Sequence, residues 1–129
     1  MTGERAQRPA KPGAPPGAKI LAISYDKALL DTRRMILELH GYEVTTALGW
    51  SEALHMCGRA REFDLVMIGS SIPRSDKEKL LNEAKSNGAA KVLSIRRPGD
   101  PPLPRAEYSI ESLYDPQALV EVVREATAK

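Results

Sequence analysis

Cysteine occurs once in this chain, at Cys57, and phenylalanine and tryptophan once each, at Phe63 and Trp50. A lone cysteine excludes an internal disulfide framework. No stretch approaches the roughly 18 consecutive apolar residues of a membrane-spanning helix, and the N-terminus lacks the apolar core of a secretory leader. An excess of one charge is missing too. Basic residues number 19 and acidic ones 17, and Arg5, Arg8 and Lys11 against Glu4 account for the difference, so the two signs balance from Lys19 onward. That balance removes the electrostatic case for nucleic acid or an anionic membrane as a partner. The expectation is a soluble, cytoplasmic chain whose 129 residues suffice for one domain with a full core.

What is present divides in two. Residues 1–18 carry Pro9, Pro12, Pro15 and Pro16 among glycine and alanine, with no apolar periodicity to offset the entropy of ordering them, and read as a disordered tail. Residues 19–129 alternate between strand and helix patterns. Ile20 to Ser24 is an apolar run suited to a strand buried on both faces, and a helix follows, capped by Asp26 and closed by Gly41. Tyr42 to Thr46 is a second strand and Ser51 to Arg61 a second helix. Phe63 to Ile68 is the most apolar strand, and Ser75 to Glu78 has capping-box spacing for a helix running to Asn87. Lys91 to Ile95 and Glu107 to Ile110 complete five strands. Asp115-Pro116 then opens a last helix with Leu119, Val122, Val123 and Ala126 along one face. Such alternation argues for an open parallel sheet layered by helices.

One connection departs from the rhythm. Arg96 to Arg105 contains Pro98, Pro101, Pro102 and Pro104, which forbid a regular helix and predict an extended strap. Val92 and Ser94 then face one side of their strand and Leu93 and Ile95 the other, so one apolar strip must be covered by Leu103 and the prolines or by another chain.

Gly41-Tyr42-Glu43-Val44, Glu52-Ala53-Leu54, Phe63-Asp64-Leu65-Val66 and Ile72-Pro73 follow one another at a consistent spacing. In that order they resemble the receiver (CheY-like) domain of bacterial response regulators, over roughly residues 19 to 128. The resemblance implies a flavodoxin-like, doubly wound five-stranded parallel sheet of order 2-1-3-4-5, with the fourth helix replaced here by the proline-rich loop. It also implies a phosphoaccepting aspartate ending the third strand, an acidic pair after the first strand for Mg²⁺, and a hydroxyl and a lysine ending the fourth and fifth. This chain departs at each point. Ser24 and Tyr25 stand at the acidic pair, with Asp26 beside them; Gly69 takes the phosphoacceptor's place; Arg96, Ser112 and Leu113 occupy the hydroxyl, lysine and following proline positions. Tyr114 falls at a position usually aromatic in receivers, and packs on the last helix in this reading.

The expectation is a pseudo-receiver with no catalytic residue, metal or cofactor, acting in a two-component or phosphorelay setting by binding another signalling protein. In the family, the face built on the fourth helix often dimerises, so a homodimer here would use a non-standard face. Trp50, Leu93, Ile95 and Leu103 are candidates for a partner surface, although for Trp50 packing over the start of the second helix is the favoured expectation. The alternative is a sensor of a small anion or nucleotide at the carboxyl edge of the sheet, with Ser70, Ser71, Arg74, Arg96 and Arg97 as its site. Against it stands the simpler expectation that Arg96 pairs with Asp26 and the serines cap backbone. An enzyme would have only Cys57 with His55 or His40 to work with. His55 and Cys57, two apart on one helix, face different directions.

Overall fold

The computed structural model describes residues 17–112 and 116–128. Of the tail expected over residues 1–18, residues 1–16 lie outside the described residues, as do Leu113, Tyr114 and Asp115; its last two residues belong to the fold, with Ala18 buried and its carbonyl accepting from Glu43 N at 2.9 Å.

Five strands, β1 (Lys19–Ser24), β2 (Glu43–Leu48), β3 (Leu65–Ile68), β4 (Val92–Arg96) and β5 (Tyr108–Glu111), pair in parallel in the order β2-β1-β3-β4-β5. The reason is visible in β1 and β3, where nearly every residue is buried. A strand without a polar face must be central and covered on both sides. Helices α1 (Lys27–Leu39) and α4 (Pro116–Thr127) cover one face. There Leu30, Leu37, Leu119 and Val123 pack on Ile20, Ala22, Met67, Leu93 and Ile95. Helices α2 (Gly49–Cys57) and α3 (Arg74–Ser86) cover the other, with Ala53, Cys57, Leu80 and Ala84 against Leu21, Ile23, Val66 and Val92.

Local chemistry explains the element ends. The Asp26 carboxylate accepts from Leu29 N at 3.1 Å and caps α1 as expected, and Gly41 takes φ +92° beyond its C-terminus. Helix α2 starts two residues earlier than its pattern suggests, because Gly49 adopts φ +86° and Leu48 N donates to Glu52 Oε1. It ends at Cys57, and a separate 3-10 turn at Ala60–Glu62 follows. The capping box at Ser75 is not used. Pro73 caps α3 through its carbonyl, which accepts from Lys77 N at 2.9 Å, and Glu78 pairs instead with Arg74.

Residues 97–107 contain no helix, only turns around 98–99 and 104–105. Helix α3 ties this strap down near both ends: Arg74 donates to the carbonyls of Pro101 (2.9 Å) and Pro102 (3.4 Å), and Arg105 donates to Asn82 Oδ1 at 2.6 Å. Between those ties Leu103 is buried in the same core as Leu80, Leu81 and Val92. Leu103 thus covers the strip itself, while Leu93 and Ile95 lie under α1 and α4. These three residues are packed inside the chain and present no partner surface.

Candidate functional site

The carboxyl ends of β1, β3 and β4 meet the loops before α1 and α3 and the start of the strap. Ser24, fully buried, ends β1; its hydroxyl lies 3.0 Å from Ser71 Oγ and accepts from Asp26 N. Ser71 Oγ also accepts from Tyr25 N at 2.9 Å, which stitches the β3 loop to the β1 loop. The Tyr25 hydroxyl donates to Asp76 Oδ2 at 2.8 Å; burial, then that carboxylate, pushes the phenol up to about 12.

Gly69 sits where β3 runs out, its N–H donating to the Ile23 carbonyl at 2.9 Å. A Cβ at this position would lie 2.8 Å from that oxygen and 3.0 Å from Nη1 of Arg33. The restriction is one of space, since the Gly69 backbone is not left-handed. Arg33 comes from α1, is only 4% exposed, and donates through Nη2 to Ser70 Oγ at 3.4 Å. A guanidinium therefore lies beside the place where a side chain on residue 69 would begin.

A second buried cation enters from α3. Lys77 Nζ donates to Ile95 O at 2.7 Å and Ser94 Oγ at 3.2 Å, both uncharged acceptors. Burial is the main cause that pulls its ammonium down to about 8, with Asp100 opposing and Arg74, Arg97 and Arg33 assisting.

Arg96 does not reach Asp26. The Asp26 carboxylate is committed to its cap, and Arg96 turns toward β5, donating to Ser109 Oγ at 2.8 Å and Asp100 O at 3.1 Å and pairing with Glu111 at 3.4 Å. Ser112, half-buried, donates its N–H to Arg96 O. Of the expected anion residues, the fold gathers Arg74, Arg96 and Arg97 around one cavity. It sends Ser70 and Ser71 to Arg33, Ser24 and Tyr25. The serines bond side chains as well as backbone, more than the caps expected of them.

Arg33 and Lys77 were the missed residues. Each stands on the apolar stripe of its helix, Leu30-Arg33-Leu37 and Lys77-Leu80-Leu81-Ala84, where a charge marks a core-facing cation. Trp50 is 36% exposed on α2, with Leu54 one turn on at 38%. His40 Nδ1 lies 2.9 Å from the Ile36 carbonyl and His55 is exposed, so neither joins the buried Cys57. Burial and the Glu83 charge push that thiol up to about 12. A mild alkylating agent is expected to leave Cys57 unmodified in the folded protein and to label it once after denaturation; intact mass checks both.

Among the described residues, no three histidine, cysteine or acidic side chains gather to hold a metal ion, and no helix is long and apolar enough to cross a membrane.

A parallel 2-1-3-4-5 sheet with helices on both faces, and its loops at the carboxyl edge, is the receiver (CheY-like) domain fold of response regulators. A response regulator receiver domain protein from Methanospirillum hungatei superposes with a TM-score of 0.71 at 26% identity, over 84% of this chain and 92% of its own. The receiver domain of the hybrid histidine kinase CckA gives 0.71 at 25%, over 85% and 99%. A receiver domain protein from Clostridium thermocellum gives 0.73 at 24%, over 85% and 94%. No protein-family model and no curated protein matches the chain.

Proposed function

We propose that this chain is a receiver-like module that does not accept a phosphoryl group, and that it serves signal transduction by binding another protein rather than by catalysis. The observation that carries this reading is the Gly69 environment. Phosphoryl capture requires a carboxylate nucleophile and a hard, oxygen-ligated divalent cation beside it. Residue 69 has no side chain, and the space a Cβ would need is closed by the Ile23 carbonyl and the Arg33 guanidinium. The neighbouring groups do not fit Mg²⁺ either: Ser24 is engaged with Ser71, Asp26 caps α1, and Arg33 already supplies positive charge. The strap stands in place of the receiver's fourth helix, so partner contact relies on other surfaces. The apolar candidates are Trp50 and Leu54 on α2 and the more exposed Met35 and Leu39 on α1.

Incubation with a small phosphodonor and Mg²⁺ is expected to leave the intact mass unchanged. A single phosphoryl adduct would overturn the proposal. Gly69→Asp is expected to remain unphosphorylated and to lose about 1–3 kcal/mol of stability, since its Cβ overpacks against backbone; denaturant titration reads the loss.

A further inference from the structure

We propose that the cavity enclosed by the start of α3, the end of β4 and the strap is a binding site for one phosphate-class oxyanion. The inference goes beyond the protein-binding reading and does not depend on it: a phosphoryl adduct would end that reading and leave this one untouched.

Four cations and a single carboxylate line the cavity: Arg74, Lys77, Arg96 and Arg97 against Asp100. Asp100 lies 3.5 Å from Arg97 Nε, and the carboxylates of Glu78 and Glu111 engage Arg74 and Arg96. None of these acids makes an ion pair with Lys77. Its ammonium is 6% exposed and meets two neutral oxygens, although an ammonium has three hydrogens to donate. A buried cation without a counterion is a costly arrangement, and an anion in the adjoining cavity relieves it. Arginine forks match tetrahedral oxyanions in geometry, and three arginines line the cavity, Arg74 already holding the Pro101 and Pro102 carbonyls and Arg96 donating to Ser109 and the Asp100 carbonyl.

Size limits the ligand. The cavity measures about 90 Å³, well below the several hundred Å³ of sites that enclose drug-sized molecules. A tetrahedral anion fits, and a nucleotide buried whole does not. The strap builds the site, because Asp100, Pro101 and Leu103 form one wall and Arg74 fixes that wall through the Pro101 and Pro102 carbonyls. Ser70 and Ser71 take no part.

The test is calorimetric titration of the full chain at neutral pH and constant ionic strength with inorganic phosphate, sulfate and glycerol 3-phosphate. The expected result is saturable one-to-one binding of phosphate, weakened about tenfold or more by Lys77→Met and by Arg97→Gln. Arg97 is largely exposed, so its variant folds normally even if Lys77→Met does not. Preference for free phosphate over the ester identifies an inorganic ion as the ligand; preference for the ester identifies the phosphate group of a larger molecule reaching in from solvent. Absence of saturable binding by all three anions at millimolar concentration overturns the proposal, as does binding that Arg97→Gln leaves unchanged.

Discussion

Leu103→Asp is expected to lose on the order of 4 kcal/mol of stability and to make the protein self-associate. The leucine is 3% exposed, and its burial contributes about 1.5–3 kcal/mol. Aspartate loses that and leaves a carboxylate among Ile72, Leu80, Leu81 and Val92, an environment that costs several kcal/mol more for an ion without a partner. Arg74 and Arg97 lie close, but Glu78 and Asp100 already engage them, so they offset only part of the cost. Leu103→Ala removes the packing without adding charge and is expected to lose about 2–5 kcal/mol. The strap has no helical hydrogen bonds of its own. Once Leu103 leaves the core, the ties at Arg74 and Arg105 hold a segment with no anchor between them, and it opens locally. Val92, Leu80 and Leu81 are then exposed as an apolar strip that a second copy can cover. Urea denaturation reads the first effect and sedimentation velocity the second. Unchanged stability together with unchanged sedimentation would mean that something other than Leu103 closes this layer.

The strap also shows where sequence reasoning reaches and where it stops. Four prolines suffice to exclude a helix, and the alternation of strand and helix patterns suffices for a parallel sheet. Both follow from local covalent and hydrophobic constraints. Whether Leu103 folds inward or waits for a partner depends on distances between α3 and the strap, and no local pattern contains them. The same holds at helix starts. Ser75 has the spacing of a capping box, but Pro73 starts the helix two residues earlier and Glu78 is drawn to Arg74. At the site, Gly69 is legible because a missing side chain is an absolute fact. Arg33 and Lys77 are harder. Each interrupts an apolar stripe, and a long side chain on a helix is ordinarily assigned to solvent. Here Ser70, just beyond β3, and Ser94, inside β4, come within reach of α1 and α3, and their hydroxyls accept from the buried cations. The expected Arg96–Asp26 pair fails for the complementary reason: it matched charges along the sequence, while Asp26 was already bound to Leu29 N.

Lys77 makes the second large effect a function of pH. Its ammonium is brought from 10.5 down to about 8, chiefly by burial, against the attraction of Asp100 and with repulsion from Arg74, Arg97 and Arg33. Between those two values the unfolded chain binds a proton that the folded chain has released. Stability from this group therefore rises with pH through the window from about 8 to 10.5, by roughly 3 kcal/mol at about 1.4 kcal/mol per unit. Two other groups act in the opposite sense. Cys57 is raised from 9.0 to about 12 and Tyr25 from 10.0 to about 12, so each keeps its proton longer in the folded state, and its contribution is lost as pH climbs through the folded value. The raw stability curve mixes all three. The difference between the protein and Lys77→Met isolates the lysine, because Cys57 and Tyr25 are common to both. Methionine fills a similar volume without charge, so below pH 8 the variant is spared the desolvation of an ammonium, while it forgoes the bonds to Ser94 and Ile95. Denaturation midpoints measured from neutral pH to 10.5 are expected to show the protein gaining on Lys77→Met by roughly 3 kcal/mol across the window. Parallel curves would mean that the Lys77 proton behaves as in water, and that the cavity beside it carries less unbalanced charge than its lining implies.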